Sequence, residues 1–173
     1  MTPSPTLVER RAETPQKAQP ASSPKLLFEM IELLFFAYRD FIGDPDAILD
    51  EIGFGRAHHR VLHFVSRNPG LTVAELLDIL KITKQSLGRV LKELVDGGYI
   101  EQRTGASDRR QRLLHTTAKG EDLARRLAEP QARRIAMALS ELGPDGAEAA
   151  RRFLALLINE DDRSSAARFT AKP

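Results

Sequence analysis

The chain has no cysteine and no tryptophan, and only two tyrosines among its 173 residues. Without a thiol, disulfides, thiolate metal sites, thiol redox switches and cysteine nucleophiles are all excluded. No run approaches the ~18 consecutive apolar residues of a membrane span, and the first residues lack the apolar stretch of a secretory signal. A cytoplasmic protein without membrane contact is the expectation. The sequence also lacks a P-loop, a G-x-G-x-x-G run and a G-x-S-x-G run, each of which carries a definite chemistry. A protein that is not an enzyme and needs no cofactor is therefore expected.

What the chain does have is enough apolar residue, 42%, to bury a core, together with 29% charged residues. The formal net charge is only +2, but it is unevenly spread. Residues 81–119 hold nine Lys/Arg against four acids, a net +5, so the remainder is −3. A basic block on a slightly acidic chain is the electrostatic footprint of a polyanion binder. A charge run can equally be a solvated face, so the pattern around it must decide.

Half of the ten prolines fall within residues 1–24, among polar residues without apolar periodicity. This reads as a disordered arm, in which Glu9 and Glu13 dilute Arg10, Arg11 and Lys17. Residues 25–56 follow as an N-terminal dimerisation helix and connector. From Lys25 to Ile42 the segment is apolar on two sides, and a helix of that kind must bury both. Gly43-Asp44-Pro45 is expected to end it, with a short turn of helix at Asp46–Ile52. Residues 57–120 read as the DNA-binding module. A helix from Arg56 or Ala57 to Val65 stops at Asn68-Pro69-Gly70. Leu71-Thr72-Val73 forms a short strand, and Thr72 caps a helix from Val73 to Leu80. After a tight turn, Thr83 caps a helix over Lys84–Val95, whose Leu87, Val90, Leu91 and Leu94 form a buried stripe. Gly97-Gly98 ends it. Tyr99–Arg103 and Gln111–Thr116 then pair around a polar tip. The spacing predicts a mainly α fold with a small β wing, a winged helix-turn-helix. Residues 121–160 supply C-terminal dimerisation helices, with a kink or break at Pro130 and another at Gly143-Pro144. Residues 161–173 read as a flexible tail.

Off the buried stripe of the Lys84–Val95 helix lie Lys84, Gln85, Gly88, Arg89, Lys92 and Glu93. Gln85 and Arg89 are one turn apart near its N-terminus, where glutamine can pair with adenine and arginine with guanine. Thr83, Lys84, Ser86 and Lys92 suit phosphate contacts. Gly88 costs about 1 kcal/mol in a helix relative to alanine. Either close packing on another helix or close approach of DNA would justify it. The hairpin tip concentrates Arg109, Arg110 and Arg112 beside Asp108. Arginine in a narrow minor groove gains from the negative potential there, and Asp108 would serve to fix an arginine in place.

These residues resemble the MarR family of bacterial transcription regulators. The resemblance is carried by Leu80-Lys81-Ile82-Thr83-Lys84-Gln85-Ser86, by Leu94 with Gly97-Gly98-Tyr99-Ile100, and by Asp108-Arg109-Arg110 followed by Thr117-Ala118-Lys119-Gly120. The last matches the family's D-x-R wing signature and the T-x-x-G start of the following long helix. Thr116 departs from the family's usual Leu. The Gly53–Arg60 run, less usual for the family, looks like the PetP-like branch. The resemblance spans roughly residues 26–160. It implies a homodimer that binds a pseudo-palindromic operator of double-stranded DNA, commonly as a repressor. It further implies that Arg110 enters the minor groove oriented by Asp108, and that any effector sits between the dimerisation helices and the DNA module.

Two other readings are open at this point. His58, His59 and His63 cluster on one helix, and His59–His63 has the i, i+4 spacing that can share a metal. Asp44, Asp46, Asp50 and Glu51 are the nearby candidates to complete it. With no cysteine and no fixed third ligand, no metal site is assigned. An anionic small-molecule effector on Arg56, His59 or His63 is the preferred use of this segment. The third class is a winged helix acting as a nonspecific architectural protein.

Overall fold

The computed structural model describes residues 23–105 and 111–170. The chain divides into two compact units, one ending at Ala37 and the other starting at Tyr38. Its elements are α1 (Pro24–Asp50), α2 (Arg56–Arg67), β1 (Leu71–Thr72), α3 (Val73–Leu80), α4 (Lys84–Asp96), β2 (Ile100–Thr104), β3 (Arg112–Thr116), α5 (Ala118–Leu157) and α6 (Glu160–Thr170). The mainly α architecture with a small wing matches the expected fold class.

The second unit is built around one apolar cluster. Leu49, Val61, Leu62, Val65, Leu76, Leu87, Leu94, Ile100, Leu114 and Leu127 are all within 2% of full burial. The expected stripe of α4 lies in it, with Leu87, Val90, Leu91 and Leu94 all buried. The sheet runs β1-β3-β2, antiparallel throughout. Leu71 pairs with Leu114, and Ile100 through Thr104 pair with Thr116 back to Arg112. This places Leu114 at the sheet centre against the core while β2 and β3 extend outward as the wing.

Local chemistry sets most boundaries. Thr72 accepts the Glu75 N–H at 3.2 Å, and Glu75 accepts the Thr72 N–H at 2.9 Å, closing a capping box at the start of α3. Thr83 accepts the Ser86 N–H at 3.1 Å and Thr117 accepts the Gly120 N–H at 3.1 Å. At the end of α4, Gly98 takes φ +73°, and Tyr99 N–H returns to the Leu94 carbonyl at 2.8 Å. That geometry suits glycine because it lacks a Cβ.

Three expectations of helix ends are corrected. Gly43-Asp44-Pro45 does not end α1, which continues through a buried Pro45 to Asp50. Proline deprives the Phe41 carbonyl of its i+4 donor. Gln131 on α5 supplies the replacement, its side-chain amide donating to Phe41 O at 3.2 Å. Pro130 lies inside continuous helix; the one interruption of α5 is at Gly143, with φ +69° and ψ 179°. Finally, where a frayed tail is expected from Asp161, residues Glu160–Thr170 form α6. Arg168 pairs with Glu75, Asp162 lies 3.2 Å from Lys81, and the Phe169 ring meets Phe64 edge-on.

Candidate nucleic-acid interface

The face of α4 opposite its buried stripe is open. Lys84, Gln85, Ser86, Gly88, Arg89 and Lys92 are all exposed, so the helix presents Gln85 and Arg89 to solvent one turn apart. Thr83, also exposed, is committed to the cap, and its hydroxyl donates to Ser86 Oγ at 2.9 Å. Lys92 makes an exposed i, i+4 pair with Asp96. Such pairs contribute little, so Lys92 can exchange Asp96 for a phosphate at small cost. On the wing, Arg112 donates to Thr104 Oγ1 at 2.8 Å across the strands. Asp108, Arg109 and Arg110 lie outside the described residues.

Gly88 separates its two explanations. A Cβ built there has no atom within 4 Å, so packing on another helix of the same chain does not require glycine. Gly88→Ala is expected to stabilise the free protein by about 1 kcal/mol, raising Tm roughly 2–4 °C, while weakening DNA binding. A gain in Tm without loss of affinity would show that DNA does not approach this point.

Behind the reader, α2 presents two different faces. His58 is buried, 9% exposed. Its Nδ1 accepts the Gly55 N–H at 3.1 Å, capping α2, so its proton lies on Nε2, which meets Glu93 of α4 at 2.6 Å. The ring stacks on Phe54, centroids 4.3 Å apart. His58 therefore ties α2 to the end of the reading helix, and both its nitrogens are used. The three-histidine cluster expected on this helix is divided between faces. Among the described residues no group of three or more His, Asp or Glu converges to hold a metal ion, so the metal-responsive alternative gains no support there.

The other face of α2 lines a cavity of about 530 Å³ with Tyr38, Phe41, Arg56, His59, Arg60 and His63 among its walls. That is the size range of small-molecule sites. The expected trio Arg56, His59 and His63 is brought together here. Arg60 and the aromatic walls are additions to that trio, although the i, i+4 step from Arg56 places Arg60 on the same face. Arg56 is matched by Asp46, N to O 2.8 Å. Burial holds the His59 imidazole below its usual range, with the charge of His63 adding to it and Asp46 opposing. Burial does the same to His63, with Arg67 adding to it. Both rings are thus neutral near pH 7.

A stability trend follows from this. With folded pKa values depressed, the unfolded chain binds more protons below about pH 6.5. Stability is therefore full above that pH and lost as pH falls toward the folded values. Thermal melts from pH 7.5 to 5.5 should show a falling Tm, with the slope reduced in His63→Gln. An equal slope in that variant would exclude His63 as a source.

Comparison with known proteins agrees with this geometry. A MarR family model matches residues 52–111. The HTH-type transcriptional regulator PetP of Rhodobacter capsulatus is 49% identical over 129 residues, covering 75% of this chain and 78% of that protein. The HTH-type transcriptional repressor Rv2887 of Mycobacterium tuberculosis is 30% identical over 117 residues, 59% of this chain and 84% of its own. A solved structure of Rv2887 in complex with p-aminosalicylic acid aligns with TM-score 0.52 at 24% identity, covering 79% of this chain and 98% of that one. A putative MarR family regulator from Listeria monocytogenes, complexed with 26mer DNA, aligns with TM-score 0.65 at 20% identity over 78% of this chain and 89% of that one. These structural likenesses speak to the fold alone. With a 49% identical relative over most of both lengths and a winged reader of the right build, the chain belongs to the MarR family of helix-turn-helix transcriptional regulators.

Proposed function

We propose that the protein is a cytoplasmic, homodimeric repressor that reads a pseudo-palindromic operator with α4 and the wing. The observation that carries this reading is the two-faced α4, with one stripe fully buried and Gln85 and Arg89 exposed on the other side. In this reading Gln85 and Arg89 contact base edges, and Thr83, Lys84, Ser86 and Lys92 contact phosphates. Arg109, Arg110 and Arg112 serve the minor groove, with Asp108 orienting Arg110. The dimer is supported by exposed apolar side chains on the terminal helices: Leu33, Leu34 and Phe35 on α1, and Phe153, Leu154 and Leu156 on α5. Exposed apolar patches of this kind mark interaction surfaces.

Selection of binding sites from a random DNA pool, followed by mobility shift, tests the reading. A palindrome preferred by ~10³-fold or more over random DNA is expected; equal affinity for all sequences would leave a nonspecific architectural protein. Arg89→Ala should relax preference at one position in each half-site, by about 1–3 kcal/mol. A uniform loss across sequences would instead make Arg89 a phosphate contact.

The cavity on α2 is the proposed effector site, formed by Arg56, His59 and His63. Its aromatic walls and guanidinium groups fit a small aromatic carboxylate. The p-aminosalicylic acid complex of the related Rv2887 supports that class of ligand.

A further inference from the structure

We infer that Arg60 is the positioning residue through which the α2 cavity holds the DNA-reading turn. Arg60 lines the cavity with Arg56, His59 and His63. Its Nη2 also donates to the carbonyl of Leu80 at 3.1 Å. Leu80 is the last residue of α3, and Thr83, three residues later, is the N-cap of α4. One side chain therefore touches both the cavity and the joint between the two helices of the reader.

The joint has reason to need holding. The last-turn carbonyls of a helix have no partner within it, and a cation there is favoured by the helix dipole. Arg60 satisfies both conditions for α3. The next residue, Lys81, takes left-handed dihedrals, φ 51° and ψ 42°, which cost a side-chain-bearing residue roughly 1–2 kcal/mol. Such a conformation persists only when its surroundings impose it. The supports are the Lys81 N–H to Leu77 O at 2.9 Å, the Lys81 ammonium between Asp78 at 2.8 Å and Asp162 at 3.2 Å, and Arg60 on Leu80. Of these, only Arg60 lines the cavity.

The two cavity guanidinium groups also differ in what they face. Arg56 meets the carboxylate of Asp46, whereas Arg60 meets a neutral carbonyl. An arriving carboxylate offers Arg60 an ion pair, with both partners charged, in place of a bond to an uncharged carbonyl, and among the described residues Arg60 has no carboxylate partner to give up. Occupancy of the cavity by such an anion thus draws Arg60 from Leu80 and loosens the turn that aims α4. This coupling rests on the effector reading of the cavity given above; the strut itself does not.

The test uses the full-length protein and the operator obtained by selection. Without ligand, Arg60→Met should weaken operator binding roughly 10- to 100-fold, the loss of one hydrogen bond to a charged donor, and speed amide exchange across residues 80–84. Arg60→Lys should recover part of the affinity. Arg133→Met, which removes an α5 cation paired with Glu129 and outside both the cavity and the reader, should stay within about twofold of the parent. The salt dependence of Arg60→Met should match the parent, since a lost phosphate contact lowers the slope by about one. Parent-like affinity and exchange in Arg60→Met, or a reduced slope, would overturn the strut. Benzoate, a minimal aromatic carboxylate, is then added while the His59 and His63 ring resonances report occupancy. It should weaken operator binding by the parent but not further by Arg60→Met at equal occupancy. Full weakening in that variant overturns the coupling. Absence of any His59 or His63 response to benzoate overturns the carboxylate-effector reading and the coupling with it, and the strut then stands or falls on the ligand-free measurements.

Discussion

Phe35→Glu is expected to yield a folded monomer that binds its operator at least ~100-fold more weakly. Phe35 is 71% exposed on α1, so within one chain a glutamate there displaces little packing and costs little. In the proposed dimer the same position is covered, and an unpaired carboxylate in an apolar interface is strongly unfavourable. Two linked readers gain about 10²–10⁴ in avidity over one, and separating them forfeits that gain. Light scattering and mobility shift on the same sample check both halves. A variant that stays dimeric with parent-like affinity would remove this face of α1 from the interface.

Gly120→Ala is the largest expected loss of stability. The T-x-x-G start of α5 brings Thr117 and Gly120 over the end of α4. Thr117 donates its hydroxyl to Gly98 O at 2.6 Å, and its N–H reaches Tyr99 O at 3.0 Å. A Cβ on Gly120 would overlap the Tyr99 carbonyl oxygen, with the Thr116 side chain at 3.4 Å. Because the obstacle is backbone, relief requires moving α5 or the turn after α4, not a side-chain rotation. Overpacking at a rigid site of this kind costs about 3 kcal/mol, a drop in Tm of roughly 6–12 °C for a chain of this size. Thermal melts measure it directly. An unchanged Tm would mean that α5 can shift away freely. Glycine is thus required at Gly120 by contact, while Gly88 stands in open space, a difference that composition alone does not reveal.

The contrast between those two glycines shows how far local rules reach. The stripe Leu87, Val90, Leu91, Leu94 is legible because helical period repeats within a few residues, whatever lies elsewhere in the chain. The caps at Thr72 and Thr83 are legible for the same reason, since each hydroxyl bonds an N–H three residues on. The alternation and the Gly97-Gly98 stop likewise place β2 and β3 to within about one residue. The candidate base-reading pair follows directly, as Gln85 and Arg89 are what the buried stripe leaves outward.

Pro45 has no local sign that the helix continues, because its rescue is remote. A proline stops a helix unless something feeds the orphaned carbonyl, and here the donor is Gln131, ninety residues away. The histidines look like a cluster in the sequence because they adjoin there. The second unit turns His58 inward to Glu93 and leaves His59 and His63 on the cavity. Arg60 carries no local sign of its role, for its partner is a backbone carbonyl twenty residues on, and every residue has one. The sequence by itself determined the family, the reading helix and its caps, because those depend on spacings shorter than about eight residues. Only the tertiary structure decided which cations face a cavity and which glycine is indispensable, and it alone joined Arg60 to the turn beneath α4, because those properties depend on which distant backbone atoms come within a few ångströms.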